Sequence, residues 1–168
     1  MIRIILKYIF MWLVLILLQV LLLNHIQISG YINPYMYVLF ILLLPFETPR
    51  YLLLILGFLL GLSIDVFTNT PGIHASATTF LAFLRPYVIN LISSRDALEI
   101  NNPPSLKQMG LAWFLKYAVI LIVAHHIFLF YMEVFTLKGF LFTLLRSSLS
   151  SVFTIILIIL SQFLIYKE

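Results

Sequence analysis

Few side chains in this 168-residue chain could do chemistry, and most of them lie within apolar stretches. Gly57, Gly61 and Asp65 follow one another at intervals of four, and at 100° per residue each step advances only about 40°, so on a helix they form one narrow stripe. The two glycines let a second helix approach closely, and Asp65 sets a carboxylate at the outer end of the same seam. It is the one plausible buried acid, and a lone carboxylate without a second acid or a positioned base makes a poor catalytic centre. Beyond it, Pro71 and Gly72 make a turn, and His74 opens a run of small residues, Ala75, Ser76, Ala77, Thr78 and Thr79, suited to tight helix packing. His74 reads as a hydrogen-bonded structural histidine, with proton transfer or metal binding as the alternative. His125 and His126 are adjacent, hence about 100° apart on a helix, and do not converge on a metal as an i, i+4 pair would.

Three basic residues also fall inside apolar runs: Arg85, Lys116 and Arg146. Lys116 lies near the end of its run, where a long side chain can snorkel to the interface. Arg85 sits near the middle of its run, where insertion costs about 2.5–3.5 kcal/mol, so it should face the bundle interior, a cavity or a partner. Pro86 next to it removes a backbone donor and frees the carbonyl of Ala82. Arg146 is expected in the same half of the bilayer as Asp65, and the two are expected to pair. Ser147, Ser151 and Thr154 form a polar seam for interhelical packing. There is no Gly-x-Ser-x-Gly elbow, P-loop or His-Glu-x-x-His pattern, and no cysteine, so neither an enzyme nor a bound cofactor or metal is expected.

The elements that position these residues follow from composition. The chain is 63% hydrophobic and 10% charged, against roughly 45–50% and about 25% in a soluble domain. Runs such as Leu13 to Leu23 do not alternate as barrel strands would, so an all-α membrane protein is expected. One polytopic domain, 1–168, carries spans at about 4–23, 34–46, 51–67, 74–92, 111–131 and 140–166. The start of the chain has Arg3 and Lys7 ahead of a long apolar run but shows no small-residue cleavage pattern, so it reads as an uncleaved first span. The polar stretch 93–108, with Arg95, Asp96, Glu99 and Lys107, reads as a loop or short surface helix.

Residues 34–46 are short for a span, and charge parity decides the reading. If they cross, Arg3, Lys7, Arg50, Arg95, Lys107 and Lys167 share one side and only Lys138 takes the other, six against one. If they do not, the division is three against four and orients nothing. The positive-inside bias therefore favours six spans with both termini cytoplasmic. Tyr8, Tyr31, Tyr51, Tyr131 and Tyr166 lie near the expected span ends, at headgroup level. The ten Lys and Arg are scattered singly, which topology explains and a nucleic-acid partner does not.

With Pro49, the stretch Leu56-Gly57-Phe-Leu-Leu-Gly61-Leu-Ser-Ile-Asp65-Val-Phe67 and the following Pro71-Gly72-Ile-His74-Ala75 resemble the rod shape-determining protein MreD family. The specific part of the resemblance covers about residues 45–90, and size and hydropathy agree over the whole chain. It implies a six-helix module similar to the substrate-binding components of energy-coupling-factor vitamin transporters, in the bacterial cytoplasmic membrane. It also implies a non-catalytic scaffold that binds MreC and helps couple MreB to the peptidoglycan polymerase RodA and its partner transpeptidase. On that reading Gly57, Gly61, Asp65, Pro71, Gly72, His74, Arg85 and Arg146 serve helix packing or partner binding. A vitamin-binding transport component is the alternative, and a membrane enzyme of lipid metabolism a third.

Overall fold

The computed structural model describes residues 2–26, 32–93, 103–136 and 138–165, and the regular elements among these are all helical. In lipid every backbone polar group must be satisfied within the protein, so long apolar runs become helices. Among the described residues five helices are long and apolar enough to cross a membrane: α1 (Ile2–Leu21, extended by a 3₁₀ turn at Leu23–His25), α3 (Arg50–Thr68), α4 (Ile73–Ile92), α6 (Leu111–Val134) and α7 (Phe140–Ile165). Two short helices, α2 (Leu39–Leu42) and α5 (Leu106–Met109), complete the order.

The sequence reading differs at 34–46, expected as a sixth transmembrane helix. Here a 3₁₀ turn at Met36–Val38 runs into α2 and stops, a helical stretch of roughly 10 Å where about 30 Å of hydrocarbon must be covered. It is buried in the bundle instead: Tyr37, Val38, Ile41 and Leu42 are all 0% exposed. Irregular backbone at such depth is tolerated only where protein supplies its hydrogen bonds, and it does. The N–H groups of Asn33, Tyr35 and Met36 donate to Ser150 Oγ, Thr154 Oγ1 and Gln19 Oε1 at 3.1, 3.0 and 2.8 Å. The segment runs antiparallel to α1, with Gln19 level with Pro34 and Tyr8 level with Leu43.

Helices α3 and α4 form a tight antiparallel hairpin, α4 packs on α6, and α6 on α7. The hairpin turn is set by two left-handed residues. Asn69 (φ 54°) closes α3 with its N–H on Asp65 O, and Gly72 (φ 81°) precedes α4 in a conformation that only glycine adopts without penalty. Helix α1 is held more loosely; its buried residues are Leu15, Ile16 and Gln19. Lys7 and Ile165 border one cavity, so the start of α1 and the end of α7 meet at the same end of the bundle. Most of the expected polar loop, with Arg95, Asp96 and Glu99, lies outside the described residues, as do Gly30, Tyr31, Tyr166 and Lys167.

Candidate functional site: a polar layer inside the bundle

The Gly57–Gly61–Asp65 stripe faces α4. A methyl group at Gly57 would stand 2.9 Å from both Ala82 Cβ and Thr78 O, and one at Gly61 would run into the backbone of His74 and Ala75. Backbones meet here with no room for side chains. At the end of the seam the buried Asp65 accepts the N–H groups of His74 (3.0 Å, Oδ1) and Ala75 (2.8 Å, Oδ2) and the Thr70 hydroxyl (2.5 Å, Oδ1). Gly72 offers α4 no side-chain cap. Asp65 therefore caps α4 from the neighbouring helix, placing negative charge at the positive end of the helix dipole.

The expected Asp65–Arg146 ion pair is absent. Both Asp65 oxygens are taken by the α4 terminus, and Arg146 reaches Glu133 at 3.3 Å, with its guanidinium 4.5 Å from the centre of the Phe130 ring. Depth along the membrane places two charges at one level but says nothing about which helices lie between them. Here α4 and its capping demand intervene. Pro71, exposed in the turn, and Gly72 shape the hairpin. Lys116 is exposed on α6.

Arg85, 1% exposed, has a structural partner set. Its Nε donates to Tyr117 Oη at 2.9 Å, and its terminal nitrogens donate to Leu44 O and to Pro45 O, the latter at 3.4 Å. Tyr117 in turn donates to Leu42 O at 3.0 Å. These carbonyls lie at the C-terminal end of α2, where a helix leaves acceptors unsatisfied and its dipole favours a cation. The buried arginine and tyrosine terminate the interior half-helix.

The third cluster escaped the sequence reading. Tyr37 Oη lies between His74 Nδ1 (2.9 Å) and His125 Nε2 (3.2 Å). His126 Nδ1 is 2.9 Å from Ile122 O, an acceptor, so that nitrogen carries the proton; Nε2 is then free to accept the Thr154 hydroxyl at 3.0 Å. The Tyr35 ring packs on His74 and His126 at centroid distances of 5.3 and 5.4 Å. Adjacent positions do splay His125 and His126 onto different partners, yet the chain entering α2 gathers both, with His74, into one layer. No group of three or more His, Asp or Glu among the described residues could hold a metal. Gln19 was also missed, although it is the sole strongly polar residue between Tyr8 and Asn24 and holds both Pro34 O and Met36 N. A buried amide on an otherwise apolar helix was the available signal.

Above this layer a cavity of about 380 Å³ opens beside the α3–α4 turn, with Asn24, His25, Asn33, Thr68, His74 and Glu133 among its lining residues. A second, almost wholly apolar groove of about 680 Å³ runs between α1 and α3, lined in part by Ile5, Ile9, Leu13, Phe40, Leu52 and Leu56. The geometry defines a multi-pass membrane bundle with a largely hydrogen-bonded polar interior, in which His125 Nδ1 and the Gln162 amide find no partner, and with open recesses beside it. Comparison of the chain with protein-family models, curated proteins and solved structures finds no match.

Proposed function

We propose that the chain is a non-catalytic membrane scaffold of the MreD type, binding a single-pass MreC-like protein in the bacterial cytoplasmic membrane and, through it, helping couple MreB to RodA and its partner transpeptidase. The observation that carries this reading is the lateral apolar groove between α1 and α3. Helix α1 has Ile5, Ile9 and Leu13 more than half exposed toward it, a surface suited to another apolar helix. The residues that carry the family resemblance point the same way by their placement. Gly57, Gly61, Asp65 and His74 are all spent inside the α3–α4 hairpin and its polar layer, which leaves partner recognition to other surfaces. The interior segment 34–45 serves as the sixth pass. On this reading both termini lie on the cytoplasmic side, an orientation supported by the six-against-one distribution of basic residues, and the module is of the vitamin-transporter-component type that the family resemblance implies.

The test fills the groove without placing charge in lipid. Ile9→Trp with Leu13→Trp should cut co-purification of MreC from mild detergent at least about fivefold while leaving yield and monodispersity unchanged. Depletion of the protein in a rod-shaped bacterium should give round, lysis-prone cells. Normal shape on depletion together with undiminished co-purification of the double variant would refute the reading.

A further inference from the structure

The cavity beside the α3–α4 turn ends on a histidine whose proton can be placed. His125 Nδ1 is buried with no partner, whereas its Nε2 meets Tyr37 Oη at 3.2 Å. A buried N–H without an acceptor costs more than an idle lone pair, so the proton of His125 belongs on Nε2, donating to Tyr37. Tyr37 then gives its own proton to His74 Nδ1 at 2.9 Å. That leaves His74 with its proton on Nε2, for which the described residues offer no acceptor, and His74 lines the cavity. A hydrogen-bond donor is thus fixed at its base by two buried residues behind it.

The walls add to this. Asn24 Oδ1 accepts Gln19 Nε2 at 2.9 Å, which fixes the amide orientation and leaves the Asn24 NH₂ as a further donor. Glu133 brings a carboxylate of which one oxygen, Oε1, meets Arg146. A volume of about 380 Å³ falls in the size range of small-molecule sites. Donors held from behind call for an oxyanion or carbonyl oxygen, and the carboxylate calls for a cation.

We propose that this cavity binds a compact zwitterion, its oxyanion held by His74 Nε2–H and the Asn24 amide and its primary ammonium by Glu133. Such chemistry is carried by a free amino acid or phosphoethanolamine and by a phosphatidylethanolamine headgroup alike. The site is separate from the α1–α3 groove, so its failure leaves the scaffold reading untouched, and the reverse also holds.

The experiment uses the purified full-length chain in detergent, with thermal unfolding and calorimetry in the presence of β-alanine, O-phosphoethanolamine or dihexanoyl-phosphatidylethanolamine. Ethanolamine and inorganic phosphate serve as single-charge controls. Binding should raise the Tm by at least about 2 °C at saturating ligand, and Asn24→Leu and Glu133→Gln should each weaken it about tenfold or more. Arg146→Gln, which removes the partner of Glu133 and keeps the carboxylate, should leave affinity equal or tighter and controls for loss of the ion pair. Binding of the soluble probes identifies a free metabolite as the source, and binding of the lipid alone identifies a headgroup. No shift with any zwitterion, or a shift that neither Asn24→Leu nor Glu133→Gln weakens in variants that fold normally, overturns the proposal.

Discussion

Replacing Gly61 by alanine should be among the most damaging single-methyl changes this chain can suffer. The new methyl would land on His74 O, His74 C and Ala75 Cα, all backbone, so no side chain can rotate away and α4 itself must move. Overpacking of a tight interior costs about 1–3 kcal/mol, and the rigid obstacle puts this site at the upper end. Displacing α4 also lengthens the bonds from His74 N and Ala75 N to Asp65, now 3.0 and 2.8 Å, and bonds to a charged group contribute about 1.5–3 kcal/mol each. Partial loss of these adds about 1.5 kcal/mol, while alanine in place of glycine returns about 1 kcal/mol of helix propensity. The net destabilisation is about 3 kcal/mol. Gly57→Ala meets one side-chain methyl, Ala82 Cβ, besides Thr78 O, both at 2.9 Å, and should cost about 1 kcal/mol after the same helix gain. Equilibrium unfolding of the purified protein in a mixed-micelle denaturant series measures both. A Gly61→Ala variant within about 0.5 kcal/mol of the parent, or no worse than Gly57→Ala, would refute the reasoning.

Other consequences can be checked with the same assay. A double-mutant cycle of Asp65→Ala with Arg146→Gln should give a coupling within about 0.3–0.5 kcal/mol of zero, because the two side chains share no partner. Arg85→Leu should cost about 3 kcal/mol or prevent accumulation, since it strands the carbonyl of Leu44 inside the bundle and takes a donor from Tyr117, whereas Pro45 O keeps the Thr48 N–H and hydroxyl; Tyr117→Phe should cost about 1–3 kcal/mol through Leu42 O. Parental stability in both would remove arginine's role as terminator of α2. Thr154→Val deprives Tyr35 N of its acceptor and His126 of its donor, and should cost about 1–3 kcal/mol; an unchanged midpoint would count against the polar layer as a packing element.

The sequence by itself determined the solvent, the helical class and five of the transmembrane helices, because apolar length and the need to satisfy backbone groups in lipid act locally. It also held the α3–α4 hairpin in compressed form, since glycines four apart, a carboxylate one turn on and Pro71-Gly72 are all short-range signals. The tertiary structure decided what partner each polar group finds. Segment 34–46 has the composition of a span, yet only its neighbours, Gln19, Thr154, Arg85 and Tyr117, let it stop being a helix at full depth. Asp65 and Arg146 find separate partners, the α4 terminus and Glu133, and Tyr37, His74 and His125 meet from three segments up to 88 positions apart. Hydropathy records how deep a residue lies, whereas hydrogen bonds depend on direction, and direction is fixed only when the helices have packed.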